Sequence, residues 1–77
     1  MHWIKDVKYL KKYKLLLTFE NDEIKEVNLE QYLDGDIFSP LQDINFFKQV
    51  YLNQDIDTIV WSNNADFSPD FLYQIGQ

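Results

Sequence analysis

Trp61-Ser62-Asn63-Asn64-Ala65-Asp66-Phe67-Ser68-Pro69-Asp70-Phe71-Leu72-Tyr73 reads as a strand end, a tight turn and the capped start of a helix. Ser68 is a residue type whose side chain accepts from the free N–H groups of a helix N-terminus, and Pro69 has the fixed φ suited to a first helical position. Phe71, Leu72 and Ile75 then fall on one helical face and supply its apolar stripe. Asn64 tolerates the left-handed backbone that a tight turn demands. A strand followed at once by a C-terminal helix is the first sign of an α+β chain.

Upstream the period is two rather than three and four. Tyr13, Leu15, Leu17 and Phe19 alternate with Lys14, Leu16, Thr18 and Glu20, which predicts a half-buried strand. Ile4 to Leu10 precedes it as a strand whose apolar positions Ile4, Val7 and Tyr9 need a bulge to share a face. Leu10-Lys11-Lys12-Tyr13 turns between the two. Glu20 to Glu23 forms a hairpin turn around Asn21-Asp22, and Ile24 to Leu29 returns with Val27 and Leu29 facing the core. The spacing of Leu29, Tyr32 and Leu33 then predicts one short helical turn, stopped by Asp34-Gly35-Asp36. Ile37 to Leu41 reads as an irregular apolar crossing. Asp43 can cap a second short helix through Phe46, Phe47 and Val50, accepting from the N–H three residues on. Val50 to Leu52 and Thr58 to Trp61 flank Asn53-Gln54-Asp55 as a second hairpin. The expected architecture is a small antiparallel sheet, made of a three-stranded meander plus a two-stranded hairpin, with short helices and a C-terminal helix. It forms a single domain over residues 1–77.

The chain has 77 residues and no cysteine, so disulfides, thiolate metal sites and cysteine nucleophiles are excluded. Aromatic residues make up 17% of it, and each ring can bury on the order of 150–250 Å², which compensates for the short length. No stretch approaches the roughly 20 apolar residues that span a bilayer, and no signal peptide opens the chain, so a cytoplasmic protein without membrane association is expected. Thirteen acids against seven lysines give a net charge of −6, which repels phosphate backbones and anionic membranes. Residues 1–14 nevertheless carry +4, from Lys5, Lys8, Lys11, Lys12 and Lys14 against Asp6, and leave −10 on the remainder. This basic segment could grip nucleic acid in an oligomer. Equally, its lysines could edge a strand and block unwanted pairing. The absence of arginine removes the bidentate groups that best read phosphate or guanine and favours the second reading.

Catalytic sets are hard to assemble from these residues. Ser39, Ser62, Ser68, Thr18 and Thr58 would each need a positioned base, and the only histidine, His2, reads as an exposed end residue. The pairs Asp34/Asp36, Asp55/Asp57 and Asp66/Asp70 read as turn-forming and capping carboxylates rather than acid–base pairs. Asn53-x-Asp55-x-Asp57 opens like a calcium loop, but Thr58 stands where glycine is needed and Asn64 where a bidentate glutamate is needed. The expectation is no enzyme, no cofactor and no metal.

Leu15-x-Leu17-x-Phe19, then Val27-Asn28-Leu29, Leu41-x-Asp43-x-x-x-Phe47-x-x-Val50 and Ile59-x-Trp61-x-Asn63-x-x-Asp66-x-x-Pro69-x-x-Leu72-Tyr73 together resemble a bacterial family, domain of unknown function 2442 (DUF2442). The match spans nearly the whole chain. Asp22, Ser62, Ile44 and Asn64 depart from it, standing where Gly, Pro, Pro and Gly are usual; Asp22 and Asn64 keep the turns accessible. The resemblance implies an α+β fold with an unassigned role, and regulation or toxin neutralisation through a partner encoded nearby. Some members carry a helix-turn-helix extension, and a DNA-binding role carried by such a fusion is not expected of these 77 residues.

The candidate interaction surface is Trp61, Asn64, Asp66 and Tyr73, because aromatics with polar tips are what interfaces use. The same residues also have structural roles open to them: Trp61 covering the core edge, Asp66 accepting within its turn, and Tyr73 packing its ring inward. The favoured function is a non-enzymatic protein-interaction module whose partner is a small basic protein. The alternative is a nucleic-acid-binding oligomer that uses Lys5 to Lys14.

Overall fold

The computed structural model describes residues 2–77. Three strands, β1 (Ile4–Lys11), β2 (Lys14–Phe19) and β3 (Ile24–Asn28), pair antiparallel in chain order, and β4 (Tyr51–Asn53) pairs with β5 (Thr58–Val60) as a separate hairpin. The class is α+β, as the patterning requires.

Alternation along β2 decides the layering. Leu15, Leu17 and Phe19 are fully buried, while Lys14, Leu16 and Thr18 point to the other face. Val7 and Tyr9 stand opposite Leu17 and Leu15 in β1, and Lys25 and Val27 stand opposite the same pair in β3. Register shifts between Ile4 and Asp6 and between Tyr9 and Lys11 supply the bulged geometry that the apolar spacing of β1 needs. Lys12 closes the β1–β2 connection at φ 48°, and Asp22 closes the β2–β3 turn at φ 69°. The short polar side chain of Asp22 makes that conformation accessible.

Beyond β3, Glu30–Tyr32 forms one 3₁₀ turn that delivers Leu29 and Leu33 to the core. The stretch expected to be irregular contains a second 3₁₀ turn at Ser39–Gln42, where Pro40 sits in the first turn and Leu41 is buried. α1 (Ile44–Phe47) is only one turn long and ends before Val50. Its cap differs in detail from expectation: Asp43 Oδ1 accepts from the N–H of Asn45, two residues on, at 3.0 Å. β4 starts one residue later than the patterning suggests, and Asp57 closes its turn at φ 53°.

α2 (Pro69–Ile75) presses Leu72 into the core from the end of the chain. Ser68 occupies its N-cap position with extended backbone, yet the hydroxyl makes no capping bond. Pro69 has already removed one donor, so less remains for a cap to satisfy. The C-terminal residue returns to the sheet. Gln77 donates to and accepts from the backbone of Glu26 at 2.9 and 3.1 Å, which covers the middle of the β3 edge.

Candidate functional site

Within the stretch that decides the fold, backbone bonds close the turn twice: Trp61 N–H donates to Ala65 C=O at 3.0 Å, and Asn64 N–H to Trp61 C=O at 2.9 Å. Asn64 takes φ 69° at the apex. Asn63 Oδ1 accepts from Ala65 N–H at 3.1 Å, and its Nδ2 donates to Ile37 C=O at 3.0 Å. Phe38 stacks on Phe67 with centroids 4.8 Å apart. These two contacts tie the start of the Ile37–Leu41 crossing to the Ser62–Phe67 turn. Asp36, Ile37, Asn64 and Asp66 are therefore exposed side chains on two segments held together.

Trp61 lies elsewhere. It is 1% exposed, and its Nε1–H donates to the Phe47 carbonyl at 2.8 Å, between the rings of Phe47 and Phe67. It belongs to the core beneath the turn. Asp66 bridges back to Val60 through the backbone and leaves its carboxylate outside.

Tyr73 is separate again, on α2 beside the β2–β3 turn. Its ring packs edge-on against Phe19 at 5.2 Å, while Lys25 Nζ stands 3.8 Å from the ring centroid and donates to the Tyr73 carbonyl at 3.2 Å. The Tyr73 hydroxyl donates to Glu23 Oε1 at 2.7 Å, and Asn21 Nδ2 donates to the same oxygen. His2 departs from its reading as a free end residue. Its ring stacks on Tyr73 at 3.6 Å, its backbone N–H donates to Asp70 Oδ1 at 3.1 Å, and its Nδ1 lies 3.3 Å from that oxygen. Of the four residues chosen from sequence, the turn unites Asn64 and Asp66. Trp61 is internal, and Tyr73 gathers His2, Glu23, Lys25 and Asp70 instead.

Residues 4–77 match the family described as a protein of unknown function, DUF2442. The chain belongs to the DUF2442 family. No curated protein and no solved structure matches it.

The Tyr73 cluster is electrostatically settled. The Tyr73 hydroxyl holds the Glu23 carboxyl below its ordinary range, and the His2 backbone N–H does the same for Asp70. The bond to Glu23 raises the Tyr73 phenol. At neutral pH both carboxylates stay charged and the phenol stays protonated. Each shift runs opposite to what a general base or an activated phenolate needs. Among the described residues no group of three His, Asp or Glu side chains could hold a metal ion. A polar groove of about 280 Å³ runs between Glu26, Asn28, Gln31 and Ile75, away from all four sequence-chosen residues.

The lysines of the basic segment are partly committed. Lys5 pairs with Asp22, and Lys14 Nζ lies 3.7 Å from Glu26 Oε2. Among the described residues, lysines come within ion-pair distance of Asp22 and Glu26 and the His2 ring within that distance of Asp70, leaving ten of the thirteen acids without such a partner. No helix of the described residues is long and apolar enough to cross a membrane.

Proposed function

We propose that this DUF2442 chain is a non-enzymatic interaction module whose acidic surface binds a small basic protein. The observation that carries this reading is the set of ten carboxylates that, among the described residues, have no cationic side chain within ion-pair distance, on a chain that carries −10 beyond residue 14. Such a surface attracts a basic partner over a Debye length and speeds the encounter, and the complex formed is sensitive to salt. Exposed apolar residues interrupt the acids and supply contact area. Ile37 follows Asp34-Gly35-Asp36 at 44% exposure, and Ile56 lies between Asp55 and Asp57 at the same exposure.

The surface joined by the Asn63–Ile37 bond, with Asp36, Ile37, Asn64 and Asp66 outermost, is the face assigned to the partner. Regulation or neutralisation of a basic, toxin-like protein in the cytoplasm is the role this chemistry fits. The test is affinity capture from native lysate by the tagged full chain and by an Asp36→Lys/Asp66→Lys variant. The reading expects one basic protein with the wild type and its loss with the variant, whose circular dichroism is unchanged. Equal capture by both chains, or no specific protein with the wild type, overturns it.

A further inference from the structure

The two edge strands of the three-stranded sheet are defended differently. β1 carries Lys5, Lys8 and Lys11, all exposed, and lysines along an edge discourage pairing with another chain. β3 has one lysine, Lys25, and it is turned away: its Nζ stands 3.8 Å from the centroid of the Tyr73 ring and donates to the Tyr73 carbonyl. Toward solvent β3 shows Ile24, 60% exposed, and Glu26, whose carboxylate lies 3.7 Å from Lys14 Nζ. Backbone bonding alternates along an antiparallel strand. Glu26 directs its N–H and C=O away from β2, to Gln77, so Ile24 and Asn28 direct theirs outward as well. Among the described residues the slot beside this edge is filled at Glu26, by the segment that leaves α2.

Gly76 makes that approach possible. Its φ of −70° and ψ of 153° are open to any residue, so backbone freedom does not call for glycine here. Space does. A Cβ at this position would lie 2.9 Å from both Cβ and Cδ of Lys25 and 3.1 Å from the Leu72 carbonyl oxygen. The Lys25 Cβ is fixed to its strand, and the Leu72 carbonyl is held in α2, where it accepts from Gly76 N–H at 3.0 Å. Neither can retreat far, so a side chain at 76 lifts the segment off the strand.

We propose that Gly76 and Gln77 form a strap that closes the β3 edge against strand addition by a second copy of the chain. The edge accepts a strand, since Gln77 pairs with Glu26 in both directions, as in an antiparallel ladder. With the strap lifted, Ile24, Glu26 and Asn28 present outward donors and acceptors beside an exposed isoleucine, which is the template on which edges pair. A second copy brings the same edge, and antiparallel pairing about a two-fold joins like edges.

Amide hydrogen exchange on the full chain reads the strap directly, because the outward N–H of Glu26 has Gln77 as its acceptor. In the wild type, protection at Glu26 is expected to exceed that of the outward amide of Asn28. Gly76→Val should bring Glu26 to the Asn28 level, a change of about tenfold, while Val27, paired with Leu15 inside the sheet, keeps its protection. Sedimentation velocity should then show Gly76→Val self-associating more strongly than the wild type as concentration rises. Adding Glu26→Pro removes an edge donor, at a place where a strand tolerates proline, and should return assembly to the wild-type level. Thermal melts confirm that each variant is folded, and Gly76→Ala, which adds only the clashing Cβ, replaces the valine variant if that one is not. Equal protection at Glu26 and Asn28 in the wild type, or a Glu26 amide unchanged by Gly76→Val, overturns the strap. An opened edge that gains no self-association, or gains it equally with Glu26→Pro present, overturns its guarding role.

Discussion

Replacing Trp61 by phenylalanine separates a core role from a surface role. The substitution keeps a ring in the site but removes the indole N–H that donates to the Phe47 carbonyl at 2.8 Å. That carbonyl keeps the Val50 N–H at 3.3 Å, so losing the indole bond costs about 0.5–1.5 kcal/mol. The smaller ring also leaves a void between Phe47 and Phe67, whose centroids lie 5.6 and 6.0 Å from that of the indole, adding about 1 kcal/mol. A loss of about 1.5–2.5 kcal/mol is therefore expected. The whole fold of a chain this size holds roughly 4–12 kcal/mol. For such a domain this lowers Tm by roughly 6–20 °C. Urea and thermal melts followed by far-ultraviolet circular dichroism measure it, with the half-buried Trp3, replaced in the same way, as control. A loss below about 0.5 kcal/mol, the range of ordinary surface changes, would refute a buried Trp61 and return it to the candidate surface.

Three further outcomes follow from the same geometry. Asn64→Ala must hold φ 69° without a short polar side chain and should lose about 1 kcal/mol in urea melts, whereas Asn64→Gly should be neutral or mildly stabilising. Ser68→Ala should cost less than about 0.5 kcal/mol, well under a typical cap deletion, because the hydroxyl makes no capping bond; a loss of 1 kcal/mol or more would contradict that geometry. Tyr73→Phe should let the Glu23 carboxyl return toward its ordinary range, as read by carboxyl NMR titration. In the wild type the lowered Glu23 contributes stability above its unfolded pKa, and this is lost as pH falls through the folded value. The raised Tyr73 contributes below its unfolded pKa, and this is lost as pH rises through its folded value. The variant should flatten both limbs.

What the sequence reveals here tracks how local the controlling physics is. Alternation in Leu15, Leu17 and Phe19 predicts β2 and its buried face, because side-chain direction in a strand depends on neighbours two apart. Asp22, Asp57 and Asn64 are of the few residue types that accept positive φ readily, whereas Lys12 adopts it under the closure of its hairpin and carries no such mark. The Ser39–Gln42 turn is short enough to lack a period. Ser68 shows the limit of a local rule, since residue type predicts the cap position and not the bond. The surroundings of Tyr73 depend on partners 48 to 68 positions apart in sequence, Lys25 with Tyr73, Glu23 with Tyr73 and His2 with Asp70, which no spacing encodes. Trp61 is ambiguous in sequence for a related reason: an aromatic with a polar tip suits an interface and a core alike. The Phe47 carbonyl fourteen residues away decides between them.

The acidic surface has the most direct consequence for function. Native mass spectrometry of the tagged full chain, purified from its own host at moderate salt, tests it in one step. A stoichiometric complex with a single small basic protein, dissociating as salt is raised, is the expected result. A chain that emerges without a protein partner, or one that retains nucleic acid instead, would contradict it.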